Sequence, residues 1–278
     1  MNDGASLRAI ATADGSTSAA WRGGARHGEG FHDAGGAWRQ ARVRYAAGAE
    51  VRRRAFERVR ELGTDPVVRV LDVGTGLGWN AAAALFAVRG TGARVEIVSL
   101  ERDLDVLRFA AALPSASTGL PERCHRAVRG ALRSALVSGG GPPLSLAVDG
   151  EALGALRLVL GDAAESLARL PRPDADGGPR SAFDAVFLDP FSPRVEPGLW
   201  RRAFCAEIAA RMAPRALLAT YSAATEVRVA LAEAGLGVRR GPRVGKKAEG
   251  TLAGRGLVPP PEDADLARRI ARRASPAS

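Results

Sequence analysis

Short apolar runs alternate with amphipathic stretches through most of the chain. Residues 36–62 repeat Val43, Ala47, Val51, Ala55 and Val59 at four-residue spacing, which predicts a helix ended by Asp65-Pro66. VVRVLDVG (67–74) is an apolar run closing in glycine, as expected of a buried parallel strand. The same pattern predicts strands over 93–101, 155–163, 183–191 and 215–222. Helices are expected over 80–88, from about 103 to 113, through 137, over 199–212 and over 223–234. Residues 139–150 suit a turn and a short strand, and 237–254 an antiparallel hairpin. Strands alternating with helices predict an α/β fold, Rossmann-like, with a mostly parallel doubly wound sheet and a C-terminal antiparallel hairpin. Residues 1–35, rich in Gly, Ala and Ser, are expected to form a flexible N-terminal arm. Residues 36–254 then form the domain, and 255–278 a basic tail that opens on three consecutive prolines after Leu257-Val258 and holds a short terminal helix.

Composition excludes several classes of function. With two cysteines and three histidines in 278 residues, neither a disulfide framework nor a Cys- or His-ligated metal site is expected. No apolar run is long enough to span a bilayer, and the N-terminus lacks an apolar core behind a charged start. The expectation is a cytoplasmic protein without metal. The formal charge of +10 points to a polyanionic partner, but all but two of the 40 basic residues are arginine in an Ala- and Gly-rich chain. Genome composition accounts for that bias as readily as nucleic-acid binding does.

The candidate chemistry sits at strand ends. After Asp72 the chain runs Gly74-x-Gly76-x-Gly78 directly into a helix beginning near Asn80, a turn whose glycines let a ligand lie against the helix N-terminus. Trp79 stands where a dinucleotide fingerprint requires glycine. The spacing instead suits S-adenosyl-L-methionine, which has no pyrophosphate. Glu101 ends the second strand, where a carboxylate can accept from ribose hydroxyls, and Asp162 ends the third, within reach of an adenine amino group. The alternatives are an arginine partner for Glu101 and a helix cap for Asp162. The joint placement at one sheet edge favours the cofactor. Asp189-Pro190-Phe191-Ser192-Pro193 closes the fourth strand, placing a carboxylate and an aromatic ring beside the methyl donor, where they could hold an amine.

Residues 183–204 and 218–240, with Asp189 to Pro193, Glu196-Pro197-Gly198-Leu199-Trp200 and Thr220-Tyr221-Ser222-Ala223, resemble the methyltransferase domain of MnmC. That family makes the 5-methylaminomethyl group on wobble 2-thiouridine of tRNA. Upstream, 12–17 and the segment around His32 resemble the family's N-terminal motifs. The resemblance implies a class I S-adenosyl-L-methionine-dependent N-methyltransferase that acts on the 5-aminomethyl group of tRNA. In this reading Asp189, Phe191 and Tyr221 are catalytic, and Asp72, Gly74, Gly76, Gly78, Asn80, Glu101, Asp162 and Asp189 hold the donor. His32, Ser192, Lys246 and Lys247 contact the substrate. It also implies a stand-alone form without the FAD-dependent oxidoreductase domain, supplied by an upstream enzyme that makes the aminomethyl group. Departures from the family pattern occur at Val244, in 245–250 (GKKAEG), at Asp33 and at Gln40, and they bear on substrate geometry. A methyltransferase for another amine, small molecule or protein, and a non-catalytic RNA-binding relative are the alternatives.

Overall fold

The computed structural model describes residues 6–23, 30–32, 35–115, 117–173, 182–245 and 249–274. An eight-stranded sheet forms its centre. β3 (Val67–Val73), β4 (Arg94–Glu101), β6 (Glu151–Leu160), β7 (Phe183–Leu188) and β8 (Met212–Thr220) lie parallel in the order β6-β4-β3-β7-β8. β5 (Leu144–Val148) adds antiparallel to β6. β10 (Thr251–Gly254) adds antiparallel to β8 and carries β9 (Gly237–Arg240) at the other edge. The parallel sheet and the C-terminal hairpin are those expected from the sequence. From β3 the chain winds one way through β4 and β6, then returns to the other side of β3 as β7. That reversal opens a crevice at the carboxyl ends of β3 and β7, the place where ligands bind in open α/β sheets.

Alternate residues of β3 feed two cores. Val68 and Val70 face α2 (Val51–Leu62), α3 (Trp79–Val88) and α5 (Leu120–Ser138). Leu71 and Val73 face α6 (Ala163–Arg169), α7 (Arg202–Arg211) and α8 (Thr225–Glu233). β7 is buried along its whole length, which is why its sequence is continuously apolar apart from Asp184. Asp184 is itself neutralised by Arg54 and Arg58. Among the described residues, no helix is long and apolar enough to cross a membrane.

Three expectations need correction. The N-terminal arm is not loose: β1 (Ser6–Ala11) and β2 (Thr17–Arg22) form an antiparallel hairpin. Its strand signal is faint because alanine and serine fill the buried positions apart from Trp21, and tertiary bonds hold it. Trp79 Nε1 donates to Thr17 O at 2.7 Å, and the Asp14 carboxylate accepts from the Arg39 N–H at 2.7 Å. The single helix over 36–62 is three pieces. α1 (Ala37–Gln40) runs into a π-helical stretch, Ala41–Ala47, and α2 starts only after a turn in which Glu50 has φ +56°. The apolar spacing runs through this break and hides it. A Cβ at Gly48 would lie 2.1 Å from the Arg44 carbonyl oxygen, so only glycine fits there. Finally, the tail does not separate at 254. α9 (Ala264–Ala271) buries Leu266 and Ile270 against the second core, and Arg240 ties Asp263 and Asp265 to β9.

Packing between α3 and α5 also creates an acid-sensitive joint. The His125 ring stacks on Trp79 at 3.6 Å between centroids, and its Nε2 donates to Leu77 O at 2.8 Å. Burial pushes His125 down to about 3, so it is neutral in the fold at pH 7. An unfolded histidine protonates near 6.5, so the unfolded state takes up the proton first as pH falls. The stability that this site contributes is complete above about pH 6.5 and drains as pH falls toward 3. Unfolding in urea should show a free energy that declines between pH 6.5 and 4, and less steeply in His125→Gln. A flat profile in the wild type would contradict this account.

Candidate active site

The crevice at the switch point is a cleft of about 330 Å³, within the range of small-molecule sites. Its floor is made where β3 and β7 end. Gly74 has φ +85°, and a Cβ there would lie 2.7 Å from the Asp189 carbonyl oxygen. Gly74 N and Thr75 N both donate to Leu100 O, at 3.1 and 3.3 Å, which binds the loop to the end of β4. Gly76, at φ +52°, turns its backbone toward the cleft, where the Phe31 side chain would be the nearest neighbour of a Cβ, at 3.5 Å.

Glu101 forms the wall beside this loop. Its Oε2 accepts from Gly76 N at 3.0 Å, and its Oε1 accepts from Arg102 N and Asp103 N, each at 2.9 Å. Burial lifts its carboxyl above the usual range, against the pull of those three N–H donors. The carboxylate is thus fixed by backbone, and Oε2 keeps acceptor capacity toward the cleft. Among the described residues no arginine pairs with Glu101.

Asp189 follows β7. Its Oδ2 accepts from Asn80 Nδ2 at 2.8 Å, and its Oδ1 accepts from the Tyr45 hydroxyl. Phe191 meets Phe31 edge to face at 5.3 Å, and Trp200 meets Tyr221 at 5.7 Å, so the cleft has aromatic sides. The Tyr221 hydroxyl donates to Pro190 O at 3.0 Å, which ties the end of β8 to the Asp189 loop. Ser192 lines the cleft, and its carbonyl accepts from Val195 N and Glu196 N, closing the turn after Phe191. Glu196 returns to accept from Phe191 N at 3.0 Å and pairs with Arg102 at 2.8 Å, spanning the β4 and β7 loops. His32 lines the same cleft and shares a 3.1 Å hydrogen bond with Ser18; burial pushes it down to about 4, so it is uncharged at pH 7.

The structure therefore brings together Gly74, Gly76, Asn80, Glu101, Asp189, Phe191, Ser192, Tyr221 and His32. Three candidates stand elsewhere. Asp72 lies beneath the floor, fully buried, accepting from Ser99 Oγ at 2.9 Å. Burial lifts it to about 8, so it is mostly a neutral acid at pH 7. Gly78 starts α3 at φ +83° and faces Val128 of α5 rather than the cleft. Asp162 caps α6, its Oδ1 accepting from Ala164 N at 2.9 Å and Glu165 N at 3.1 Å, and it is not part of the cleft lining. Lys246 and Lys247 lie outside the described residues. Tyr45, Phe31 and Arg102 were missed. Tyr45 gives no local signal, being one apolar-facing position in a helical pattern, 144 residues from the carboxylate it meets.

Both cysteines are buried, with their thiols pushed up to about 11 and 12, and neither lines the cleft. No cluster of three metal-ligating side chains exists among the described residues. What remains is a pocket walled by glycine backbone and a fixed carboxylate, opening on a second carboxylate among aromatic rings. A family model described as S-adenosyl-L-methionine-dependent methyltransferase matches residues 144–255. The chain belongs to the S-adenosyl-L-methionine-dependent methyltransferases, with the α/β fold of that class.

Within the class it is homologous to the methyltransferase region of the MnmC proteins. It is 37% identical over 199 residues to the tRNA 5-methylaminomethyl-2-thiouridine biosynthesis bifunctional protein MnmC of Pseudomonas aeruginosa (strain UCBPP-PA14). That match covers 70% of this chain and 28% of the relative. The protein of the same name from Ralstonia nicotianae is 41% identical over 98 residues, 35% of this chain and 14% of the relative. The chain thus spans under a third of the length of these curated relatives. Among solved structures, MnmC2 from Aquifex aeolicus superposes with a TM-score of 0.73 at 27% identity, covering 96% of this chain and 76% of that one.

The position of Asp162 gives a direct test of its role. Asn caps helices as well as Asp does, so Asp162→Asn should unfold within about 0.5 kcal/mol of wild type. Its affinity for S-adenosyl-L-methionine by calorimetry should stay within about twofold. A tenfold loss of affinity at unchanged stability would restore the adenine contact.

Proposed function

We propose that this chain methylates the 5-aminomethyl group of wobble (2-thio)uridine in tRNA, converting it to 5-methylaminomethyl. The observation that carries the reading is Asp189, a carboxylate held by two side-chain donors at the floor of an aromatic-walled cleft beside the donor loop. S-adenosyl-L-methionine, when bound, supplies an electrophilic methyl group on a sulfonium. The residues present fit it: the glycine backbone of 74–76 is open to the cleft, and Glu101 offers Oε2 to a ribose hydroxyl. Asn80 Oδ1 is buried without a partner among the described residues, so it can accept from a bound group. Gly74, Gly76, Asn80 and Glu101 form the donor set in this reading. Asp72 and Gly78 shape the loop from behind.

The acceptor side has a protonation problem to solve. An alkylamine with a pKa near 10.4 is almost wholly protonated at pH 7, and freeing its lone pair costs about 4–5 kcal/mol. Asp189 orients the ammonium and takes up its proton, which frees the nitrogen lone pair toward the methyl group that a bound donor would supply. Positioning of amine and methyl in line supplies much of the remaining rate. Phe191 and Tyr221 offer ring faces to the extruded base. His32, uncharged, gives the acceptor a hydrogen-bonding group that does not repel an ammonium. Arg39, Arg42 and Arg194 are exposed, have no ion pair among the described residues, and belong to segments at the cleft. With Lys246 and Lys247 they supply contacts to tRNA phosphates.

The test uses labelled donor and two tRNA pools, one from cells lacking the final methyl of the aminomethyluridine and one from wild-type cells. Incorporation confined to the first pool, weakening steeply with salt, is the expected result. Asp189→Ala should lower that incorporation by at least about 100-fold. Silence in both pools with donor binding intact would discard the acceptor and leave a methyltransferase for another amine. A loss of only a few-fold in Asp189→Ala would remove the carboxylate from its assigned role.

A further inference from the structure

The π-helical stretch Ala41–Ala47 reaches the ends of both β8 and β7 with adjacent side chains, Arg44 and Tyr45. Arg44 is fully buried and donates through its two terminal nitrogens to Tyr221 O at 3.2 Å and Val244 O at 3.3 Å. Tyr45 is fully buried as well, packs edge-on against Phe187 of β7 at 5.8 Å, and donates its hydroxyl to Asp189 Oδ1. Single π turns inside helices cluster at functional sites because they re-aim side chains that a regular helix would point elsewhere. Tyr45 does not line the cleft, so it acts only through the carboxylate it holds.

We propose that Tyr45 is the positioning residue of the transfer, fixing Asp189 from below while Asn80 fixes its other oxygen, so that the carboxylate faces the acceptor nitrogen in a single orientation. The role in transfer rests on the amine-acceptor reading above; the pairing itself does not. Asn80 comes from the donor loop's own helix and Tyr45 from an independent segment. The pair therefore locks the acceptor carboxylate to the donor pocket at two points. The hydrogen bond also has an electrostatic consequence. A donor to a carboxylate stabilises its charged form, so deleting the hydroxyl makes Asp189 harder to keep ionised. Conversely, burial and the Asp189 charge hold the Tyr45 phenol well above its usual range, so Tyr45 remains the donor throughout the working pH range. Among the described residues, groups that act on the pair include Asp72 from β3, Tyr221 after β8 and Arg44 from the same turn, with Glu101 acting on Asp72 from the end of β4.

The chain has two tyrosines, so protein labelled with carbon-13 at the phenol Cζ gives two resonances, assigned by Tyr45→Phe and Tyr221→Phe. At pH 7.5, about where Asp72 titrates, Asp189→Asn should move the Tyr45 resonance further than that of Tyr221; Asp72→Asn controls for Asp72. An unmoved Tyr45 resonance overturns the pairing whatever the acceptor is. In turnover with aminomethyl-bearing tRNA, Tyr45→Phe should lower kcat by about tenfold or more with both KM values within about twofold. Its acid limb should move up by about one pH unit. A loss of activity with the limb unmoved reduces Tyr45 to a packing role and overturns the proposal. A wild-type protein that is silent on that tRNA but shows the resonance coupling overturns the acceptor reading and leaves the Tyr45–Asp189 pair standing.

Discussion

β3 and β7 lie side by side at the centre of the sheet, and past their last paired residues the two backbones stay in contact. Asp189 N donates to Val73 O at 2.9 Å, and a side chain at Gly74 would collide with the Asp189 carbonyl. That approach puts the glycine loop after β3 and the Asp189 carboxylate on the same few ångströms of backbone. Had the loops splayed, the glycine turn would still bind a ligand, but no group on β7 would reach it. The winding order, which brings β7 back to β3 after β4 and β6 have been laid down on the other side, creates this meeting.

Three carboxyl groups converge there, and each is handled differently. Asp72 is buried deeply enough to stay mostly neutral, with Ser99 as its donor. Glu101 is held by backbone N–H groups from two loops, with Oε2 left able to accept from the cleft. Asp189 takes neutral side-chain donors, Tyr45 and Asn80. Among the described residues, no arginine is paired with Asp72 or Glu101. Arginines neutralise carboxylates at the opposite end of β7, where Arg54 and Arg58 hold Asp184, and at the rim, where Arg102 holds Glu196.

The walls come from parts of the chain that look unremarkable one residue at a time. The β1–β2 hairpin brings Ser18 beneath His32 and is fastened to α3 through Trp79. That indole occupies the position at which a dinucleotide fold needs glycine. Here it stacks on His125 and bonds to Thr17, so the same substitution that argues against one cofactor secures the wall for another. The π-helical stretch reaches the reaction site from the other side, through Arg44 and Tyr45.

The sequence by itself determined the alternation of strand and helix and so the parallel sheet, because continuously apolar strands and amphipathic helices of period 3.6 are local patterns set by burial. It also determined the glycine turn and the strand-end acids, since strand ends are where such a fold places ligands. Glu101 and Asp189 were legible for that reason. The tertiary structure decided which acids face the cleft: Asp162 turned to its own helix and Asp72 went beneath the floor, a choice between two local bonding options that spacing does not resolve. It decided, too, that residues 6–22 form a hairpin, whose alanine-rich strands carry little pattern. Above all it decided the Tyr45 contact, because a hydrogen bond between residues 144 apart depends on how helix, strand and turn pack together, and no local preference encodes it.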